Sequence, residues 1–272
     1  KAIRRQRQMC IRDRYYGLKI QYLYPFISGK DFTYIPSPYL VVNAVTESML
    51  NRVTFRDNKL RRAIGKEVIE SYLYNIVRQL DTVTWISPEL LYKKGKDKLL
   101  TSDVIAAEGD NVIFYDTKAI TPSLKLRKFD VAEIEADIEI YAEDVIQIYN
   151  QINNYLQGCF QLDKQYLKDK IFGIVVVLED AVVSRKKVYE KVYEILEKTE
   201  TLDTEEKNYI CSHIKVLPLR AIECMILQNT SLLPELIEQL SKPERWYDYT
   251  YTNATIENGK IPLYSKLSLI HI

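Results

Sequence analysis

The sequence has little glycine and no long hydrophobic run, and each shortage weighs against a class of protein. Only 8 of its 272 residues are glycine, and neither a GxGxxG nor a GxxxxGK[ST] pattern occurs. The Rossmann-type dinucleotide-binding and P-loop classes therefore lose their main support. Hydrophobic residues make up 47% of the chain, but no apolar run is long enough to span a bilayer. The composition predicts a globular protein.

The two ends of the chain, 1–14 and 267–272, differ in character from the rest. They resemble translated sequencing-adapter read-through, and the first residue is lysine, so we expect non-native ends on an environmental gene fragment. The alternative is a genuine basic arm that binds nucleic acid. Residues 1–14 hold six basic residues and one acid, a net charge of +5, and the whole chain has a net charge of +1, so the remainder has a net charge of −4. Nucleic-acid binding by that remainder requires a local basic patch.

Histidine and cysteine are too sparse for the usual zinc site or an HNH nuclease site. Between the two ends, His213 is the only histidine, and Cys159, Cys211 and Cys224 form no CxxC pair. No flanking pattern supports a Cys–His or Ser–His site at His213. We expect the cysteines to be buried in a reducing cytoplasm, and we find no secretory signal.

Alternating helix and strand patterns predict an α/β fold with a mixed central sheet flanked by helices. We expect one domain at 59–240, an N-terminal extension at 15–58 and a C-terminal extension at 241–266. The expected elements are a helix at 59–80, strands at 82–93, 102–108 and 111–118, a long helix ending at Gly158, a buried strand at 170–180, a helix at 186–200, and a strand and helix at 214–228. The apolar arc of the first helix comprises Val68, Ile69, Tyr72, Leu73, Ile76, Val77 and Leu80.

The stretch SDVIAAEGDNVIFYDTK, residues 102–118, predicts a β-hairpin with charged residues at one end. A two-residue loop at Gly109-Asp110, or one position later, places Asp103, Asp116 and Lys118 on the same face of the sheet. A three-residue loop would separate them. Apolar neighbours on both faces indicate that the hairpin lies in the centre of the sheet.

Three charges at one end of a buried hairpin need compensation, because a buried unpaired charge costs several kcal/mol. A Mg²⁺ ion held by Asp103 and Asp116 supplies it, since Mg²⁺ commonly takes one or two carboxylates and keeps waters. Lys118 would then act on a water or stabilise charge on a phosphate. The alternative is a salt-bridged group at an exposed sheet end.

Asp103, an interval of 12 residues and Asp116-Thr117-Lys118 resemble the bipartite signature of the PD-(D/E)XK nuclease superfamily. The element order over roughly 60–180 is similar to its restriction-endonuclease-like αβββαβ core. Ser102 stands in the place of the signature's proline, and Asp116 stands where glutamate is commoner. The resemblance implies a nuclease that hydrolyses DNA phosphodiester bonds with Mg²⁺, with Mn²⁺ as the alternative ion. A catalytically inactive nucleic-acid-binding or scaffold module, or an unrelated interaction domain, is the alternative.

The resemblance also implies two supporting residues. A glutamate on the first helix would assist the metal, and Glu70 is favoured over Glu67 because it lies at the edge of the apolar arc. A glutamine on the long helix would bind Lys118 or the scissile phosphate, and Gln151, which adjoins the apolar stripe, is favoured over Gln147. Each of these has an alternative as a solvated side chain on a helix surface.

Basic residues flank the hairpin in two segments that we expect to be loops, where they would neutralise phosphates. They are Lys93, Lys94, Lys96 and Lys98 before it, and Lys125, Arg127 and Lys128 after it. The alternative is that they form solvated faces.

Overall fold

The computed structural model describes residues 26–35, 49–54, 57–120, 131–178, 183–198, 201–219 and 221–223, with single positions at 38, 41 and 45. Both chain ends, the predicted C-terminal extension and most of the N-terminal one lie outside this set, so the domain boundaries stay predictions. No helix in the described ranges is both long and apolar enough to cross a membrane.

Nine strands and six helices account for most of the described residues. The strands are β1 (Ile27–Ser28), β2 (Thr33–Tyr34), β3 (Val83–Pro88), β4 (Leu91–Lys94), β5 (Asp97–Leu100), β6 (Val104–Glu108), β7 (Asn111–Lys118), β8 (Ile171–Val177) and β9 (Ile214–Pro218). The helices are α1 (Met49–Val53), α2 (Asn58–Ile64), α3 (Ser71–Val77), α4 (Val131–Leu156), α5 (Arg185–Leu196) and α6 (Thr204–His213). A π-helical segment, Gly65–Glu70, joins α2 to α3, and a 3₁₀ turn, Lys168–Lys170, precedes β8.

The central sheet has five strands in the order β3-β6-β7-β8-β9, and two separate hairpins pair β1 with β2 and β4 with β5. The first three strands of the central sheet are antiparallel, and β7, β8 and β9 are parallel. Helix α3 covers one face of the sheet, whereas α4 covers the other and has α5 packed against it. The predicted mixed sheet flanked by helices and its αβββαβ order are confirmed.

The β6–β7 hairpin has the first of the two predicted registers. Glu108 pairs with Asn111, and Val104 pairs with Tyr115, so the loop is Gly109-Asp110. Gly109 has φ of 60°, a left-handed conformation that glycine adopts without strain. Both strands have neighbours on either side, so the predicted central position of the hairpin is confirmed. The register continues to place residue 103 opposite residue 116.

Helix α4 approaches the sheet closely because β8 carries a glycine at the contact. A Cβ atom added to Gly173 would lie only 2.3 Å from Cγ2 of Ile148. Because Gly173 has no side chain, α4 packs closely against β8. This contact helps to set the position of the polar residues of α4 relative to the end of β7. Gly158, with φ of 75°, ends the helix as predicted.

The predicted helix at 59–80 is confirmed, but one member of its apolar arc is misplaced. Val68 is 58% exposed, whereas Leu73, Ile76 and Val77 are fully buried. The segment that contains Val68 is π-helical, with more residues per turn than an α-helix, and it buries Ile69 while leaving Val68 exposed. A wheel drawn with constant α-helical spacing does not include this change in residues per turn.

The predicted strand at 82–93 and the region before β9 also differ from expectation. Pro88 ends β3 at the edge of the central sheet, as its position in the sequence indicated, and the chain then forms the separate β4–β5 hairpin. Helix α6 was not predicted, although Asp203 accepts a hydrogen bond from the Glu206 amide at 2.7 Å, which is a recognisable N-cap pattern.

Candidate active site

Three ends of strands meet at one edge of the central sheet. Because β6 is antiparallel to both β3 and β7, the start of β6 lies beside the ends of the other two. Asp103 immediately precedes β6, while Asp116 and Lys118 lie among the last three residues of β7. The topology therefore brings the three sequence-predicted residues to the same edge.

Asp103 is anchored by the residue between the other two. Its Oδ2 atom accepts a hydrogen bond from the Thr117 amide at 2.6 Å and another from the Thr117 hydroxyl at 2.7 Å. Sequence analysis gave Thr117 no role, because the middle position of an acid–x–lysine triplet carries no pattern of its own. Thr117 therefore links the Asp103 carboxylate, at the start of β6, to the end of β7.

Lys118 lies among two carboxylates and an amide. Its Nζ atom is 2.7 Å from Oδ2 of Asp116 and 3.5 Å from Oδ1 of Asp144, and it donates a hydrogen bond to Oε1 of Gln147 at 2.8 Å. Burial by itself lowers the pKa of Lys118, but Asp116 and Asp144 outweigh burial and hold that pKa above its usual value. The amine is therefore a fixed cation at neutral pH.

One ammonium group does not fully compensate the two buried carboxylates. Burial raises the pKa of Asp144 to about 6 although Lys118 opposes the rise, and Oδ2 of Asp144 has no hydrogen-bond partner in the described part of the chain. Asp116 is 3% exposed, and burial raises its pKa too; Lys118 lowers it, and Asp103 raises it further. The site thus holds more negative charge than its own cation neutralises.

Glu70 adds to this negative charge from the other side of the sheet. Burial and then Asp103 are the main causes that raise its pKa to about 7; Lys66 opposes the rise, and Glu89 and Asp116 add to it. Glu67 is exposed. The structure therefore places Glu70 within electrostatic range of Asp103 and Asp116, and its role at a metal stays a prediction.

Gln151 does not contact Lys118, which was one of the two partners expected for it. Gln151 is buried, and its Oε1 accepts a hydrogen bond from the Ser102 hydroxyl, whereas Gln147 binds the lysine. The two glutamines lie one helical turn apart on the same face of α4, so the height of the helix above β7 decides which one meets the amine. Ser102, in the place of the signature's proline, supplies the hydroxyl.

Asp144 is a site residue that sequence analysis missed. It lies in α4 between Tyr141 and Ile148, at helical spacings that put it beside the buried apolar stripe. A carboxylate in such a position is rarely left buried without a partner. A charged residue at a helix position expected to be buried was therefore the sequence feature that could have identified Asp144.

The basic residues are only partly where they were expected. Lys93, Lys94 and Lys98 lie in β4 and β5, and Lys96 is in the turn between them, so this group is a hairpin and not a loop. Two apolar pairs, Leu91 with Leu100 and Tyr92 with Leu99, face each other across the two strands at the base of this hairpin. The second group, Lys125, Arg127 and Lys128, falls outside the described residues.

The donor set suits a small, hard cation more than a preformed metal cage. Across the described ranges, no group of three or more His, Cys, Asp or Glu side chains is arranged to hold a metal ion. Mg²⁺ needs only one or two carboxylates and water, and Asp103 and Asp116 are the two carboxylates that would supply them, with Glu70 within electrostatic range. A bound divalent cation would compensate the excess negative charge of the buried carboxylates.

We expect Glu70→Gln to stabilise the protein at pH 8 in the absence of divalent cations. The folded-state pKa of Glu70, about 7, is above its ordinary value of 4.5, so ionised Glu70 opposes folding fully above pH 7 and not at all below 4.5. Since Glu70 is partly exposed, the gain is on the order of 1 kcal/mol.

Urea unfolding at pH 8 and pH 4 measures this gain, and the exposed neighbour provides the matched control Glu67→Gln. The gain should vanish at pH 4 and be absent in the control. Equal or lower stability of Glu70→Gln at pH 8 would contradict the description of the site.

Comparisons with known proteins give weak similarities. No protein-family profile matches the sequence. The chain is 26% identical over 134 residues to a probable DNA-directed RNA polymerase of Gelasinospora sp. (strain G114); the match spans 49% of this chain and 15% of that protein. The structure is similar to the small subunit of the heterodimeric restriction endonuclease R.BspD6I, with a TM-score of 0.32 and 9% identity, over 74% of this chain and 96% of that one. Neither similarity assigns the chain to a family or an activity.

Proposed function

We propose that this chain is a Mg²⁺-dependent nuclease that hydrolyses DNA phosphodiester bonds, of the PD-(D/E)XK type. The observation that carries the proposal is the convergence of Asp103, Asp116 and the half-buried cation Lys118 at one edge of the sheet. An uncompensated acid cluster next to a protonated lysine is a costly arrangement for stability alone. Such arrangements are typical of functional sites.

In this proposal, Asp103 and Asp116 hold the metal, and Glu70 assists them. When bound, Mg²⁺ would supply positive charge next to the scissile phosphate and help to activate a water. Mn²⁺ has the same preference for oxygen ligands and would serve as a substitute.

The other residues keep the site in position. Lys118 remains protonated and would stabilise negative charge that develops on the phosphate, since a preorganised cation in a partly buried site acts strongly. Gln147 and Asp144 orient the lysine from α4, and Gln151 holds Ser102 next to Asp103. Gln151 is therefore a positioning residue in this proposal.

Cleavage of duplex DNA in Mg²⁺ and in EDTA tests the proposal. We expect wild-type protein to cleave in Mg²⁺ alone, and Lys118→Ala to be inactive in both. Lys164→Ala, at the opposite edge of the sheet, is the matched control and should cleave like wild type. Circular dichroism at the assay temperature verifies that each variant is folded. Cleavage by wild type in EDTA, or by Lys118→Ala in Mg²⁺, would contradict the proposal.

An inactive nucleic-acid-binding module of the same fold is the second candidate. The observation that favours it is the ion pair between Lys118 and Asp116, which neutralises one acid without any metal. This candidate predicts that wild-type protein binds DNA but leaves it intact in both Mg²⁺ and Mn²⁺.

A further inference from the structure

The β4–β5 hairpin leaves the central sheet at the edge that carries the proposed active site. It is inserted between β3 and β6, and residues 91–100 are called the ribbon below. The Leu90 amide donates to Oγ1 of Thr101 at 2.8 Å, and the Thr101 amide donates to the Leu90 carbonyl at 2.9 Å, so the base of the ribbon is closed. Only Thr101 and Ser102 separate the ribbon from Asp103.

The inner face of the ribbon is fixed to α4. Tyr92 is buried and its ring lies 4.8 Å from that of Phe160, centroid to centroid. Lys94 Nζ donates to Oδ1 of Asn154 at 2.7 Å, and the Asn154 amide donates to the Tyr92 hydroxyl at 2.9 Å. Asn154 is two helical turns beyond Gln147, the partner of Lys118, which is roughly 10 Å along the helix axis. The ribbon is therefore held beside the site.

The outer face of the ribbon combines two lysines with two leucines. Leu91 pairs with Leu100 and Lys93 pairs with Lys98, so all four side chains project from the same face. All four are exposed, Leu91 by 66% and Leu100 by 46%. Like charges directly opposite each other are unfavourable, and neither lysine forms an ion pair with any described residue. A polyanionic partner would remove the repulsion.

We propose that the outer face of the ribbon binds double-stranded DNA and holds it against the site at Asp103 and Asp116. The major groove of B-DNA is about 12 Å wide and admits a two-stranded β-ribbon. Lys93 and Lys98 then lie next to phosphates, and the two leucines lie against apolar sugar and base atoms. The choice of DNA rests on the proposed nuclease function, whereas the preference for a duplex comes from the shape of the ribbon.

The test is the binding of a fluorescein-labelled duplex in EDTA, measured by anisotropy at several salt concentrations. The test variant is Lys93→Gln/Lys98→Gln, and the matched control is Lys164→Gln/Lys170→Gln, which removes the same charge at the opposite edge of the sheet. We expect the test variant to bind about tenfold more weakly, and the slope of log K against log salt to fall by about 2. The control should match wild type in affinity and salt slope, and the test variant should melt like wild type because Lys93 and Lys98 are exposed.

Two results would overturn the proposal: unchanged duplex affinity and salt slope in the test variant, or tighter binding by wild-type protein to the single strand than to the duplex. Failure of the nuclease proposal has a different signature, because wild type would then bind the duplex through the ribbon without cutting it in Mg²⁺. Conversely, if the test variant bound and cut the duplex like wild type, the ribbon proposal would fail while the nuclease proposal stood.

Discussion

Lys118→Met is expected to lower the free energy of unfolding by about 3 kcal/mol at pH 7. Removing one partner of a buried ion pair leaves the other charge uncompensated, and here two carboxylates, of Asp116 and Asp144, lose the same cation. Methionine keeps most of the side-chain volume, so the loss reports charge more than packing.

The pH dependence separates this effect from a simple packing defect. Lys118 lowers the pKa of both carboxyls, so their pKa values rise further in the variant. When the pKa of a carboxyl is higher in the folded than in the unfolded state, the protein becomes less stable as the pH rises and the carboxyl ionises. The stability lost in Lys118→Met should therefore be largest at neutral pH and small near pH 5. Urea unfolding across this range measures it, with Lys164→Met as an exposed control. A deficit that does not change with pH would indicate lost packing instead.

Asp116→Asn is expected to reduce Mg²⁺-dependent cleavage at least about 10³-fold, equivalent to roughly 4 kcal/mol of transition-state stabilisation. The amide keeps the size of the side chain but cannot supply the anionic oxygen that the proposed metal site needs. Because burial raises the pKa of Asp116, removing its charge should leave the protein at least as stable as wild type in EDTA.

Single-turnover cleavage and thermal melting of the same preparations test this pair of expectations. Mg²⁺ should raise the melting temperature of wild type, since a ligand that binds only the folded state stabilises it, and should not raise that of Asp116→Asn. Ser212→Ala, at a described position in α6 and outside the proposed site, is a suitable activity control. Equal cleavage by Asp116→Asn and wild type would remove Asp116 from the mechanism.

The sequence was informative where local rules decide the structure. The register of the β6–β7 hairpin follows from one glycine turn and from alternation along two strands, and so does the placement of Asp103, Asp116 and Lys118 at the same end of these strands. The buried strand β8 has an uninterrupted apolar pattern, so it could also be recognised directly.

The parts of the site that sequence analysis missed depend on how one element is placed on another. Whether Gln147 or Gln151 reaches Lys118 is set by the position of α4 along the sheet, which the contact between Ile148 and Gly173 helps to fix. A helical wheel gives the face of a residue but not its height above a strand. The same limitation hid the partnership of Asp144 with Lys118.

Val68 is exposed although Ile69, the next residue in the same π-helical segment, is buried. Glu70 ends that segment, and burial followed by the charge of Asp103 raises its pKa. Constant helical spacing favoured Glu70 over Glu67, a choice that stays a prediction, and it misplaced Val68.

An anomalous difference map from crystals grown with Mn²⁺ would examine the metal site itself. If the acids at the shared strand edge are ion ligands, one strong peak should lie about 2.0–2.6 Å from carboxylate oxygens of both Asp103 and Asp116. A map without density between those two side chains, in crystals of protein that still cuts DNA, would contradict the account.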